Sequence, residues 1–213
     1  MAARDYGQYD GITRGLELVG ERWALLIVRD LLVGPRRYGE LAAGLPRIPS
    51  NILATRLKEL QEAGVIRRAP RSRVIIYELT PYGRELEPVV MAFGAWGSKA
   101  LGDPRDEQII TPDSMTISLR TAFRPRVAAT FPATAYAARL GSTGLLVRVD
   151  GAELDVKPGE GPADVVFTAG PGIQRVLSGE VDPDRALATG VVEVLDGPGE
   201  LFGRFASTFR LTA

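Results

Sequence analysis

Apolar positions in the first hundred residues recur at helical spacing, in short runs separated by glycine and proline. Ile12, Leu16 and Val19 share one helix face, and Gly20 ends that run. Residues 22–33 are apolar nearly all round (Trp23, Leu25, Leu26, Ile27, Val28, Leu31, Leu32), which predicts a helix central to a core, broken by Gly34-Pro35. Residues 38–43 read as a third short helix closed by Gly44 and Pro46. Pro49-Ser50 opens a fourth, running to about Ala63 with Gly64 at its end. Residues 65–68 and 74–79 read as strands joined by the basic turn Ala69-Pro70-Arg71-Ser72-Arg73. Thr80-Pro81 then supplies an N-cap and a first-turn proline for a helix toward Leu101, with Pro88, Gly94 and Gly97 as kink points.

Beyond a linker-like stretch at 102–113 the pattern changes. Strands are predicted at 116–123 and 133–140, and at 145–149 with 154–156 across an Asp150-Gly151 hairpin turn. A further strand at 164–168 precedes short helices at 173–177 and 183–188. A strand at 191–195 and a closing helix at 198–209, with Leu201, Phe205 and Phe209 on one face, complete the chain. Helices and strands mix without βαβ regularity, so the fold class is α+β. The expected organisation is a helix-rich domain over 1–101, a linker over 102–114 and a second domain over 115–213.

Composition narrows the function classes. The 213 residues, 45% hydrophobic and 24% charged, suit one large or two small globular domains. The nearly uncharged, partly apolar stretch 88–98 falls far short of the roughly 20 residues that span a bilayer. The first six residues lack the apolar core of a leader peptide, so a cytoplasmic protein without a membrane partner is expected. There is no histidine and no cysteine. That removes Ser-His-Asp chemistry, thiolate nucleophiles, disulfides and the usual zinc, iron and copper ligand sets. No catalytic set, metal site or cofactor is predicted, and the chain is not expected to be an enzyme. Carboxylates near Asp150, Glu153 and Asp155, and near Glu180, Asp182 and Asp184, read as solvated faces; the second group lacks the EF-hand pattern.

Net charge is zero, but it is unevenly spread. Residues 1–100 carry 15 basic and 11 acidic side chains, residues 101–213 carry 11 and 15, and the window 36–75 alone holds nine basic against three acidic. Three helices followed by a basic hairpin is the layout of a winged helix-turn-helix. Advancing about 100° per residue from Leu53 puts Leu57 and Leu60 within about 40° of it and Asn51, Thr55 and Lys58 near the opposite side. Asn can bond adenine bidentately, Lys can reach guanine or phosphate, and Thr can touch a base edge or a thymine methyl. Asn51, Thr55 and Lys58 are therefore the expected base readers. Arg36, Arg37, Arg56, Arg71 and Arg73 are expected to hold phosphates or a narrow minor groove.

Four segments carry a family resemblance: Leu18-Val19-Gly20-Glu21-Arg22-Trp23-Ala24-Leu25-Leu26-Ile27-Val28-Arg29-Asp30-Leu31, Gly34-Pro35-Arg36-Arg37-Tyr38-Gly39-Glu40-Leu41, Asn51-Ile52-Leu53-Ala54-Thr55-Arg56-Leu57-Lys58-Glu59-Leu60 and Tyr77-Glu78-Leu79-Thr80-Pro81-Tyr82-Gly83-Arg84. Over residues 6–100 the chain resembles HxlR-type winged-helix regulators. The resemblance implies a homodimeric bacterial transcription regulator, paired through its first helix and the long helix after the wing. A dimer of that kind is expected on a pseudo-palindromic operator in double-stranded DNA. Family members often carry a cysteine just ahead of the first helix; Asp10 holds that position here, so thiol sensing is excluded. The wing reads as shorter than usual for the family.

The second half resembles sterol-carrier-protein-type domains, on Ala163-Asp164-Val165-Val166-Phe167-Thr168-Ala169, Leu177-Ser178-Gly179-Glu180-Val181-Asp182-Pro183, Ala186-Leu187-Ala188-Thr189-Gly190-Val191-Val192-Glu193-Val194 and the aromatic terminal helix. The resemblance implies a curved sheet covered by helices around an apolar tunnel. Phe123, Phe131, Tyr136, Phe167, Phe202, Phe205 and Phe209 suit either the lining of such a cavity or a filled core. The first reading makes the chain a regulator with a small apolar effector bound non-covalently. The alternative is a lipid or hydrophobic-ligand carrier whose winged helix serves dimerisation or protein contact.

Overall fold

The computed structural model describes residues 5–141 and 143–211. Residues 1–4, the start of the segment considered above for a leader, lie outside the described residues. The chain folds as two compact units, Met1–Val90 and Met91–Ala213. No described helix is long and apolar enough to cross a membrane.

The first unit contains α1 (Gly11–Val19), α2 (Ala24–Val33), α3 (Tyr38–Gly44), α4 (Ser50–Glu62), the hairpin β1 (Ile66–Arg71) and β2 (Val74–Leu79), and α5 (Pro81–Arg84). The helix α6 (Glu87–Ser98) begins before the division and ends after it. Its core is Ile27, Val28 and Leu31 of α2, Leu41 of α3, Leu53, Leu57 and Leu60 of α4, and Val65, Ile66 and Leu79 around the hairpin, all buried.

Four local features differ from the pattern reading. First, α2 starts at Ala24, not Arg22, because Trp23 holds a left-handed φ of +83° that cannot continue a right-handed helix. Second, α2 is not apolar throughout: Asp30 is fully buried, and the Arg29 guanidinium reaches its Oδ1 at 2.7–2.8 Å. Third, β1 runs on to Arg71, so the wing turns in two residues, Ser72 and Arg73, instead of five. Fourth, the helix expected from Pro81 to Leu101 is broken into α5 and α6. Thr80 Oγ1 caps the Gly83 N–H at 3.0 Å while donating to the Gly64 carbonyl at 2.6 Å. A Cβ at Gly83 would lie 2.0 Å from the Val65 carbonyl oxygen, so only glycine fits where α5 crosses the hairpin root. Glu85 and Leu86 then close tight i→i+3 bonds to Tyr82 and Gly83, which ends the turn. Pro88 falls in the first turn of α6, where a missing N–H costs no helical bond.

Asp10, at the position read against the family's cysteine, is the N-cap of α1. Its carboxylate accepts from the Ile12 and Thr13 amides (2.8 and 3.0 Å) and from the Thr13 hydroxyl (2.6 Å). The Thr13 hydroxyl bond is the largest cause holding its pKa below the ordinary carboxylate range, with the Thr13 amide next. A lowered folded pKa means the charged cap stabilises above the ordinary range and loses that contribution as pH falls through it and below. Melting temperatures of wild type and Asp10→Asn should therefore differ at neutral pH and converge as the buffer is acidified past the carboxylate range; a pH-independent difference contradicts this.

The second unit adds α7 (Pro112–Ala122), α8 (Pro125–Ala128), β3 (Thr134–Leu140), β4 (Thr143–Asp150), β5 (Glu153–Pro158), β6 (Val165–Ala169), α9 (Ile173–Leu177), α10 (Pro183–Ala188), β7 (Val192–Asp196) and α11 (Glu200–Thr208). Its five-stranded sheet has the order β5-β4-β3-β6-β7. All pairs are antiparallel except β3 with β6. The β4–β5 turn is Gly151-Ala152, one residue later than read, with Gly151 at φ +55°.

The strand expected over 116–123 is the helix α7. Thr-, Ile- and Ser-rich composition favours a strand, but a reciprocal cap decides the matter. Thr111 Oγ1 accepts from the Ser114 amide (3.2 Å), Ser114 Oγ accepts from the Thr111 amide (2.9 Å), and Pro112 takes the first helical position. Met115, Leu119 and Ala122 then follow a helical period into the core, while the Thr116 and Thr121 hydroxyls bond back to the carbonyls of Pro112 and Ile117.

Candidate nucleic-acid interface

α4 presents its two faces as the spacing requires. Leu53, Leu57 and Leu60 are buried, whereas Asn51 and Lys58 are exposed. Thr55 is half-buried, and its hydroxyl donates to the Asn51 carbonyl at 2.8 Å. Lys58 Nζ stands 3.6 Å from Glu62 Oε1, with both side chains mostly in solvent. Such a pair is weak and screened by salt, so the ammonium can be recruited by a stronger anion.

Two further exposed residues, one on this face and one beside it on α3, are not singled out by the pattern. Ala54 is exposed between Asn51 and Lys58, where a methyl group can meet a thymine methyl. Tyr38, also exposed, donates its hydroxyl to the Ser50 carbonyl at 2.8 Å and so braces the start of α3 against the start of α4. The helical wheel could have shown the first; nothing in the local pattern signals the second.

The basic residues divide into three groups. Arg71 and Arg73 are exposed on either side of Ser72, which holds a left-handed φ of +56°, and among the described residues neither has a carboxylate partner. The paired hairpin is six residues a side, about 20 Å at 3.3 Å per residue. Arg37 is exposed at the start of α3, with its amide on Glu40 Oε2 at 2.6 Å. Arg36 is half-buried: its main chain exchanges bonds of 3.0 and 2.7 Å with Tyr77, an antiparallel bridge on β2, and its guanidinium donates to the Pro35 carbonyl.

Arg56 differs from its expected role as a phosphate contact. Its side chain is 13% exposed and pairs with Glu21 at 2.7 Å and with Glu59, which ties α4 to the turn between α1 and α2. Three residues on from Leu53, Arg56 stands only about 60° from the buried stripe, so burial follows from the wheel itself.

The aromatic residues of the second unit meet ring to ring. Tyr136, Phe167, Phe202, Phe205 and Phe209 are fully buried, with Phe205 central: its ring lies 5.2 Å from Tyr136, 5.1 Å from Phe167 and 4.7 Å from Phe209. Phe123 is half-buried against Phe209 at 5.7 Å, and Phe131 lies under the Arg204 guanidinium at 5.3 Å. Burial, above other causes, raises the Tyr136 pKa. Among the described residues no cluster of acidic side chains could hold a metal ion.

The model of the HxlR-like helix-turn-helix family matches residues 18–104. The HTH-type transcriptional regulator YodB of Bacillus subtilis is 38% identical over 85 residues, which is 38% of this chain and 76% of that protein. The chain belongs to the HxlR-like family. A second HxlR-region relative, the uncharacterized HTH-type transcriptional regulator Rv3095 of Mycobacterium tuberculosis, is 40% identical over 114 residues, 52% of this chain. The chain spans 66% of that relative's length. Among solved structures, the reduced form of YodB from B. subtilis aligns with 46% of this chain and 100% of that one, at 29% identity and a TM-score of 0.40. All eight DNA-contact residues read from the sequence fall within the HxlR match, whereas the five-stranded sheet lies beyond it.

Proposed function

We propose that the chain is a homodimeric transcription regulator that reads a pseudo-palindromic operator in double-stranded DNA. The observation that carries this reading is one solvent-facing set on one unit: Asn51 and Lys58 outward on α4, beside a wing whose Arg71 and Arg73 have no acidic partner among the described residues. Asn51, Thr55 and Lys58 read bases; Arg36, Arg37, Arg71 and Arg73 hold phosphates or the minor groove. Arg56 serves the fold instead, through Glu21.

Pairing of two copies is supported by apolar side chains left in solvent. Ile12 and Leu16 protrude from α1, and Val89, Phe93 and Trp96 form an exposed i, i+4, i+7 stripe on α6. Residues 1–101 form the reading and pairing domain, 102–114 the connection and 115–213 a sterol-carrier-like domain that takes a small apolar effector. With no cysteine or histidine in the chain, the trigger is a non-covalent one. The effector acts by binding one state of the dimer more tightly than the other.

A carrier that used its winged helix only for contact would have no use for two unpaired wing arginines. Titrating salt against promoter-DNA binding tests the reading. The logarithm of the binding constant should fall linearly with that of salt, with a slope of about −0.9 per phosphate contact, hence near −7 for eight contacts in a dimer. Binding that is flat in salt, or absent, contradicts it.

A further inference from the structure

Three cations of the second unit line one groove with no carboxylate among them. Lys99 follows α6, Arg124 lies between α7 and α8, and Arg210 follows α11; with Ser98 and Ser178 they surround a groove of about 410 Å³. The local backbone explains how two of them come together. Phe123 and Phe209 pair in an antiparallel bridge, closed by Arg124 N–H to the Thr208 carbonyl (2.9 Å) and Arg210 N–H to the Ala122 carbonyl (2.8 Å). Neighbours along paired extended backbone point to opposite faces. The phenylalanine rings therefore turn toward the core, and both guanidiniums leave on the other side. Gly179, at φ +77°, completes the arrangement, because a Cβ there would lie 2.7 Å from the Arg210 Nη2.

Four other cations of this unit find carboxylates: Arg105 with Glu107, Arg139 with Glu160, Lys157 with Asp155 and Arg175 with Glu180. Among the described residues Lys99, Arg124 and Arg210 have none. The two guanidiniums reach only main-chain carbonyls, at long distances of 3.4 Å (Ser207) and 3.5 Å (Gly179). Overall composition does not account for the cluster, since residues 101–213 carry 15 acidic against 11 basic side chains. Three like charges around one concavity repel one another until an anion fills it.

We propose that this groove binds the phosphate group of a small phosphorylated molecule. A phosphate monoester carries about −1.5 to −2 charges near neutral pH and three acceptor oxygens, which suits three cations and two hydroxyls. Guanidinium forks bind phosphate through paired N–H bonds, whereas a monocarboxylate would offset only one cation. At about 410 Å³ the groove falls within the range of small-molecule pockets, roughly 300–1,000 Å³, and leaves room for a sugar-sized body beside the phosphate.

Calorimetric titration of the full chain at low salt, without DNA, tests the site separately from the DNA-reading function. Ribose 5-phosphate should bind, inorganic phosphate no more tightly, and ribose not at all. Arg124→Gln with Arg210→Gln should weaken ribose 5-phosphate by on the order of 100-fold, about tenfold per guanidinium. Lys99→Gln, at an exposed position, should weaken it several-fold and decides the matter if the double variant does not fold. Failure of ribose 5-phosphate to bind, equal binding of ribose, or unchanged binding by the folded variants overturns the proposal. So does a loss of duplex-DNA affinity in these variants without any phosphate-ester binding, which would assign the cations to a DNA backbone.

Discussion

Replacing Asn51 and Lys58 together by alanine is expected to abolish sequence-specific DNA binding while leaving a non-specific remainder. Both side chains are exposed on α4 opposite the buried Leu53–Leu57–Leu60 stripe, so their loss should not disturb the fold. A well-placed side-chain contact to a base edge contributes about 1–3 kcal/mol of discrimination. Two per protomer in a dimer should reduce specific affinity by on the order of 10³-fold or more. Fluorescence anisotropy on a selected operator and a scrambled duplex reads the ratio directly. An unchanged ratio sinks the assignment of α4 as reader. Arg71→Ala with Arg73→Ala should behave differently, weakening both duplexes alike and flattening the salt slope by about one unit per contact removed.

The largest expected stability effect lies away from that surface. Asp30 is fully buried on α2 and holds the Arg29 guanidinium, whose side chain is only 19% exposed. Removing one partner of a buried pair leaves the other charge desolvated and typically costs about 3–5 kcal/mol. Against a total of roughly 5–15 kcal/mol for a folded domain, Asp30→Ala should leave the first unit marginal. Its urea midpoint should fall sharply, and the Arg29→Ala, Asp30→Ala double variant should lose less than the two single variants summed. Strict additivity contradicts a coupled pair. A close approach explains the site's shape: a Cβ on Gly44 would come 2.9 Å from Asp30 Oδ2, so the end of α3 is cut to admit the carboxylate.

The solvent face of α4 is legible in the sequence because three leucines at helical spacing leave their opposite side no alternative. The β2 strand likewise has the predicted bounds, 74–79. Errors arose where one polar contact outweighed the pattern. Thr111 and Ser114 convert a strand-like run into α7, and Thr80 with Gly83 stops a helix that hydropathy alone would have continued. Charge alone makes Arg56 a phosphate contact, and the apolar run at 22–33 hides Asp30, yet the first is paired across an element boundary and the second with its sequence neighbour. Trp23 shows the same limit in the backbone, since no propensity assigns a left-handed φ to tryptophan. The aromatic residues of the second unit stand out in the sequence, but spacing along the chain says nothing of how Phe205 meets Tyr136, Phe167 and Phe209.

The central claim is that two copies of this chain read DNA through α4 and the wing. Selecting bound sequences from a pool of randomised duplex DNA at near-physiological salt measures that most directly. The account predicts enrichment of a two-fold-symmetric sequence with half-sites about 34 Å apart, one turn of the duplex. A pool that stays unenriched after repeated selection would contradict it.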